Sequence, residues 1–279
     1  MTYEVSFSEL KTWRTCRMLH HYKYCECLEP RTKPVALKRG AWIHALLEAY
    51  YKGNDWREVH QAFTDEFATL MDEEREYYGD LPGTAETLMT LYEETYPNDR
   101  TLGVEIEFKG FPLSRTVHLK GRVDLVLEDA RGVWVVEHKT ASRMPSEDDR
   151  ITNPQVVLYI PVVEKQLGVK VNGVLWNYLI TRIPKRKQKE LLHRRYLPVN
   201  KNVLSRLQDE AMIAAVEIHN LTRPYRSLHP MLCRICSYRS LCIGELMGLD
   251  VEFIKRNEYK ERRRQDGHSE EEEEDGETE

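Results

Sequence analysis

Two consecutive runs, Thr116 to Glu128 and Val133 to Lys139, carry most of their polar residues among apolar ones and are joined by a short turn. Both runs are rich in β-branched residues, which with the turn between them predicts a pair of strands. Further strands are predicted at Gly103 to Lys109, Asn172 to Thr181 and Lys189 to Leu197. Helical patterning dominates elsewhere. One helix is expected from the Ser6-Phe7-Ser8-Glu9 capping box to about Tyr24. A second starts near Arg39 and carries Trp42, His44, Leu46, Leu47 and Tyr50. Helices are also expected over Trp56 to Tyr78 and Thr84 to Tyr96, with Leu81-Pro82-Gly83 as a break, and over Lys201 to Leu221. Asn153-Pro154 has the form of an N-cap followed by proline in the first turn, opening a helix to about Leu167. No internal repeat is present. The order predicts an α/β fold, a mixed central β-sheet flanked by helices, with a helical N-terminal region of about residues 6–98 and an α/β core of about 100–222.

On the second strand of the pair, Val133, Val135, Glu137 and Lys139 share one face, and Trp134, Val136 and His138 the other. Charge inside a hydrophobic sheet is costly unless it is paired or binds a metal. Asp124, on the preceding strand, can reach the same spot. Two carboxylates and an amine converging at a hairpin end can hold a hard divalent cation and orient a water. Glu105 or Glu107 could join from the strand before, but only one of them can face the site.

Three further features bear on chemistry. Gln155 and Tyr159, four apart, share a helix face that a short loop brings toward the carboxylates. His44, within Ala41-Trp42-Ile43-His44-Ala45-Leu46-Leu47, reads either as a core histidine or as a neutral imidazole ligand to the same ion. Cys233, Cys236 and Cys242 place three thiols in ten residues, which calls for metal or cluster ligation in a reducing cell. A tetrahedral site or a cubane needs four. Cys16 is the leading fourth, with Cys25 and Cys27 as competitors, and zinc and iron–sulfur both suit the count.

The net charge of −5 over 279 residues conceals an uneven distribution. Nine acids and no Lys or Arg fall between Asp266 and Glu279, which reads as a disordered tail. Without them 41 basic residues face 37 acidic ones, a mildly basic body compatible with nucleic acid. A basic helix is expected over residues 251–265, after one domain spanning 1–250 with its cysteine cluster at 233–242. No apolar run approaches the ~18 residues of a membrane span, and the N-terminus lacks secretory-signal form. A cytoplasmic protein is expected.

The ordered set Cys16, His44, Asp124, Glu137-His138-Lys139, Gln155-Val156-Val157-Leu158-Tyr159, Cys233, Cys236, Cys242 resembles the PD-(D/E)XK nuclease superfamily. It is most similar to the RecB-like, CRISPR-associated exonuclease group with an iron–sulfur cluster and to the nuclease domain of AddB. The resemblance covers about residues 6–245. It implies a restriction-endonuclease-like core whose C-terminal segment is stapled by a [4Fe–4S] cluster on Cys16, Cys233, Cys236 and Cys242. It further implies Mg²⁺ or Mn²⁺ held by His44, Asp124, Glu137 and the main-chain carbonyl of His138. Lys139, Gln155 and Tyr159 complete the implied catalytic set; Arg122 and Arg143 read either as solvated surface charge or as phosphate contacts. The implied substrate is DNA, single-stranded or with free ends, with repair, recombination, CRISPR and phage metabolism as open settings. Glu137 stands where many relatives carry Asp. The alternative is a non-catalytic or zinc-stapled nucleic-acid-binding protein.

Overall fold

The computed structural model describes residues 2–147, 157–183 and 191–262. Strand β1 (Tyr3–Ser6) leads into α1 (Phe7–Thr15), α2 (Arg17–His20), a π-helical turn (His21–Cys25) and β2 (Leu28–Pro30). Helices α3 (Val35–Tyr51), α4 (Trp56–Ala68), α5 (Asp72–Tyr78) and α6 (Leu81–Thr95) follow, then strands β3 (Arg100–Pro112), β4 (Val117–Asp129) and β5 (Gly132–Ala141). A 3-10 turn (Val157–Tyr159) opens onto α7 (Ile160–Leu167), β6 (Val171–Ile180), β7 (Leu192–Pro198) and α8 (Lys201–Asn220). The chain continues through α9 (Pro230–Arg234), α10 (Arg239–Met247), α11 (Val251–Glu258) and β8 (Tyr259–Glu261). These elements form two compact units, Met1–Arg14 with Lys33–Thr222, and Thr15–Thr32 with Arg223–Glu279.

The first unit is a mixed sheet covered by helices. Its strands run in the order β1-β4-β5-β6-β7, with β3 also paired to β4. The β4–β5 hairpin is antiparallel, β5 and β6 are parallel, and β1 lies parallel to the start of β4. One edge of β4 is thus shared by two strands. β1 pairs with residues 117–120 and β5 with residues 125–129, so the intervening segment from Gly121 to Asp124 lies in a fork between them. Apolar residues on both faces of β4, β5 and β6 are almost wholly buried, including the neighbours Leu125 and Val126, Val135 and Val136, and Val174 and Leu175. Each contributes roughly 1.5–3 kcal/mol by leaving water.

The second unit is small. β2 and β8 pair antiparallel, and Tyr22, Tyr238 and Tyr259 stack into a core with Met18 and Leu241.

Several expected boundaries move, each for a local reason. β1 has no counterpart among the predicted strands. The helix expected from Ser6 to Tyr24 is interrupted at Cys16, whose backbone is extended (φ −165°, ψ 127°). Ser6 does cap α1, its hydroxyl accepting from the Glu9 N–H at 3.2 Å. Leu81-Pro82-Gly83 opens α6 and does not break it, because Asp80 caps the Gly83 N–H and proline is tolerated in a first turn. Trp56 to Tyr78 is two helices, the second started by Glu74 accepting from the Met71 N–H. The basic helix expected over 251–265 ends at Glu258, because Tyr259 is buried and enters strand pairing with Pro30. The Asn153-Pro154 helix start and the acidic tail lie outside the described residues. No described helix is long and apolar enough to cross a membrane.

Candidate active site

The fork in the sheet gathers the charged residues of the hairpin. The β4–β5 ladder runs as far as Leu125 opposite Val136. One residue beyond it, an Asp124 carboxylate oxygen accepts the His138 N–H at 3.0 Å. Glu137 and Lys139, two apart on one face of β5, form an ion pair through Glu137 Oε1 and Lys139 Nζ. Helix α3 brings His44 to the same place. Its Nε2 lies 3.0 Å from the His138 carbonyl oxygen and its Nδ1 3.6 Å from Asp124 Oδ2. The helix passes close to β5 at Gly40. A Cβ there would already stand 3.5 Å from the Thr140 hydroxyl.

Burial sets the electrostatics. Glu137 is 2% exposed. Desolvation first, and then the charge of Asp124, push its carboxyl above the usual range, against the pull of Lys139 and His44. Desolvation also raises Asp124, although the His138 N–H and the charges of Lys139 and Arg122 oppose it. His44 is held below the ordinary imidazole value, chiefly by burial, and stays neutral at pH 7. Buried carboxylates that resist ionisation together suit a bound cation, and a neutral imidazole suits a ligand. Among the described residues no three His, Cys, Asp or Glu side chains converge as they stand in the arrangement of a metal site. Glu137 is turned onto Lys139 and Asp124 onto the His138 N–H.

Other expected residues divide. Tyr159 is buried, its ring edge-on to Phe108 at 5.2 Å and its hydroxyl 3.0 Å from where a Cβ on Gly121 would stand. Gly121 therefore leaves room for this tyrosine at the fork. Gln155 lies outside the described residues. Of the two candidate glutamates on β3, Glu105 is the inward one, its side chain 7% exposed and 2.5 Å from Arg122 Nε, whereas Glu107 is exposed. Glu105 lies between the pairs Val104–Leu125 and Ile106–Val123, hence opposite Asp124. Burial raises its carboxyl to about 7, with Asp124 pushing the same way and Arg122 opposing. Its backbone is left-handed (φ 48°), an uncommon conformation for a residue with a Cβ. Arg122 is half exposed while holding Glu105, and Arg143 is exposed beyond β5.

Sequence reasoning missed Lys11. It stands on α1, at the β1 side of the fork. It is exposed overall, yet partial desolvation and then the charge of Lys139 lower its ammonium, while Glu137 raises it. No local pattern marks it, since its proximity arises from β1 pairing with a strand more than a hundred residues away.

The cysteines belong to the second unit. Cys16, Cys236 and Cys242 pack around the Tyr22–Tyr238–Leu241 cluster. The Cys236 thiol is raised by burial and then by the charges of Cys16, Cys242 and Cys233, so these three lie within electrostatic reach of it. Burial would raise Cys16, but hydrogen bonds from the backbone of Ser227, Leu19 and Met18 and from the Ser227 side chain bring it below the usual thiol range. Arg226 Nε donates to Cys242 Sγ at 3.2 Å. Cys25 is exposed, and Cys27 donates to the Tyr24 carbonyl at 3.7 Å.

A family model of the PD-(D/E)XK nuclease superfamily matches residues 4–243. The chain therefore belongs to that superfamily, whose nucleases act on nucleic acid and generally use divalent metal ions. The mixed sheet with flanking helices is consistent with a restriction-endonuclease-like fold. Among solved structures, one described as a candidate exonuclease from Eubacterium rectale is similar at a TM-score of 0.53 and 15% identity, covering 82% of this chain and 87% of that one. The protein SSO0001 gives a TM-score of 0.37 and 14% identity, over 87% and 86% of the two chains. No curated protein sequence matches.

Proposed function

We propose that the protein is a metal-dependent DNA exonuclease, acting on single strands or resecting ends in the cytoplasm. The observation that carries this reading is the fork itself, where Asp124, Glu137, Lys139 and His44 meet with the carbonyl of His138. The donor set is one buried and one half-buried carboxylate, an imidazole and a peptide oxygen, which suits hard Mg²⁺ or Mn²⁺ better than soft metals. A cation held by Asp124, Glu137, His44 and the His138 carbonyl supplies Lewis acidity toward the scissile phosphate and the attacking water. Lys139, paired with Glu137, would orient that water and offset negative charge growing on the phosphate oxygens. Glu105 adds a buried carboxylate beside Asp124. Tyr159 and Gln155 steer Lys139 and the substrate strand, and Arg122 and Arg143 contact phosphates.

In the second unit, Cys16, Cys233, Cys236 and Cys242 would hold a [4Fe–4S] cluster whose role is structural. Three thiols within electrostatic reach of Cys236, and a Cys16 thiol lowered by surrounding N–H and hydroxyl donors, suit the ligand count and the thiolate chemistry of such a site. Cleavage of end-labelled single- and double-stranded DNA by wild type and Asp124→Asn, with and without Mn²⁺, tests the proposed activity.

A further inference from the structure

His138, between Glu137 and Lys139, occupies a position where the fold leaves the peptide weakly held. In a strand the N–H and C=O of one residue point to the same side, and those of its neighbours to the other. For His138 that side is the one facing β4, where the β4–β5 ladder has already ended. Its N–H is taken by the Asp124 carboxylate and its carbonyl oxygen faces His44, so neither group is fixed by sheet pairing. Beyond the pairing of β5 with β6, its ring adds a further hold, entering a largely buried polar network.

His138 Nδ1 lies 2.7 Å from Asn177 Nδ2, its cross-strand neighbour on β6, and Asn177 is fully buried. The same amide donates to the Tyr92 hydroxyl at 2.8 Å. Tyr92 in turn meets the Tyr51 hydroxyl at 2.7 Å, and the Tyr51 ring stacks on His138 at 5.9 Å and 20°. Arg194 closes the network, donating to Tyr51, Tyr92 and Asp99. Tyr92 and Asn177 are completely buried. A network this dry has few alternative arrangements, so it holds the imidazole in one orientation.

We propose that Asn177 is a positioning residue, which aims the His138 carbonyl at the cation site by anchoring the His138 ring. The inference rests on the metal-dependent nuclease reading above. It assigns a catalytic purpose to a network that touches neither substrate nor metal.

The test is Mn²⁺ binding to the full chain, followed by the electron-paramagnetic-resonance signal of free Mn²⁺, with thermal unfolding recorded alongside. Asn177→Leu should raise the Mn²⁺ dissociation constant about tenfold in folded protein, and His138→Phe by a similar factor. The double variant should bind no more weakly than either single one, since both changes act through one ring. Should Asn177→Leu not fold, Tyr92→Phe, which deletes only the hydroxyl accepting from Asn177, should raise the constant about threefold. Unchanged Mn²⁺ affinity in a folded Asn177→Leu or Tyr92→Phe variant overturns the proposal, as does a double variant weakened by the product of the two factors. A wild-type protein that binds no Mn²⁺ would instead bring down the metal-dependent reading, and the proposal with it.

Discussion

His44 and His138 meet through unlike groups, the imidazole Nε2 of the first standing 3.0 Å from the main-chain oxygen of the second. One is delivered by helix α3 and the other by strand β5, so the contact ties the helical layer to the hairpin at the fork. An imidazole nitrogen and a carbonyl oxygen this close need a proton between them. A cation can take that proton's place.

His44→Ala should therefore weaken Mn²⁺ binding more than it weakens the fold. Loss of one hydrogen bond from a side chain 29% exposed costs about 0.5–1.5 kcal/mol of stability, whereas loss of a ligand should reduce metal affinity at least tenfold, about 1.4 kcal/mol or more. Isothermal titration with Mn²⁺ and thermal unfolding of the metal-free protein separate the two. A variant that cannot fold without metal would mark His44 as a core histidine.

Glu105 gives a pH-dependent prediction that does not involve bound metal. Its folded carboxyl sits near 7, above its value in the unfolded chain. Stability from such a group is present below the unfolded value and is lost as pH rises through about 7. Glu105→Gln cannot ionise, so relative to wild type it should gain stability from about pH 4.5 to about pH 7.5 and level off above. The folded and unfolded carboxyls differ enough in proton affinity for a gain of about 1–3 kcal/mol. Urea unfolding of both proteins across that range checks it. A difference independent of pH would mean that Glu105 is ionised throughout, held by Arg122.

The hairpin and its charges are legible because a period of two fixes which side chains share a face, and Asp124, Glu137 and Lys139 all lie on adjacent strands. His44 is legible only as a choice between two roles, since its helix must first be docked. The fork is not legible. It depends on four residues of β1 lying parallel to β4, a pairing that leaves no local signal. Lys11 escapes notice and the choice between Glu105 and Glu107 stays open for the same reason, because long-range register places them. The His138–Asn177 pair arises from parallel strands joined across 39 residues. Leu81-Pro82-Gly83 misleads because proline and glycine break helices in the interior but are tolerated in a first turn capped by Asp80.

The cysteine site predicts a pattern across six single variants. After anaerobic purification, Cys16→Ser, Cys233→Ser, Cys236→Ser and Cys242→Ser should each lose iron and sulfide, whereas Cys25→Ser and Cys27→Ser should retain both. The four proposed ligands would close a loop of more than two hundred residues. By analogy with a disulfide, a link over such a loop contributes roughly 4–5 kcal/mol, so the first four variants should also be less soluble. Full iron in Cys16→Ser, with loss in Cys25→Ser or Cys27→Ser, would reassign the fourth ligand. Stoichiometric zinc without iron in the wild type would rule out the cluster.

The most direct measurement is cleavage of end-labelled DNA by anaerobically purified wild type, Asp124→Asn, Glu137→Gln and Lys139→Met in Mg²⁺ or Mn²⁺. Wild type should degrade the labelled strand only with a divalent ion. Each variant should keep its fold and lose at least about a thousandfold in rate, roughly 4 kcal/mol of transition-state stabilisation. Wild-type protein that leaves every DNA substrate intact, or any one of the three variants cleaving at the wild-type rate, would contradict the assignment of the fork as the catalytic site.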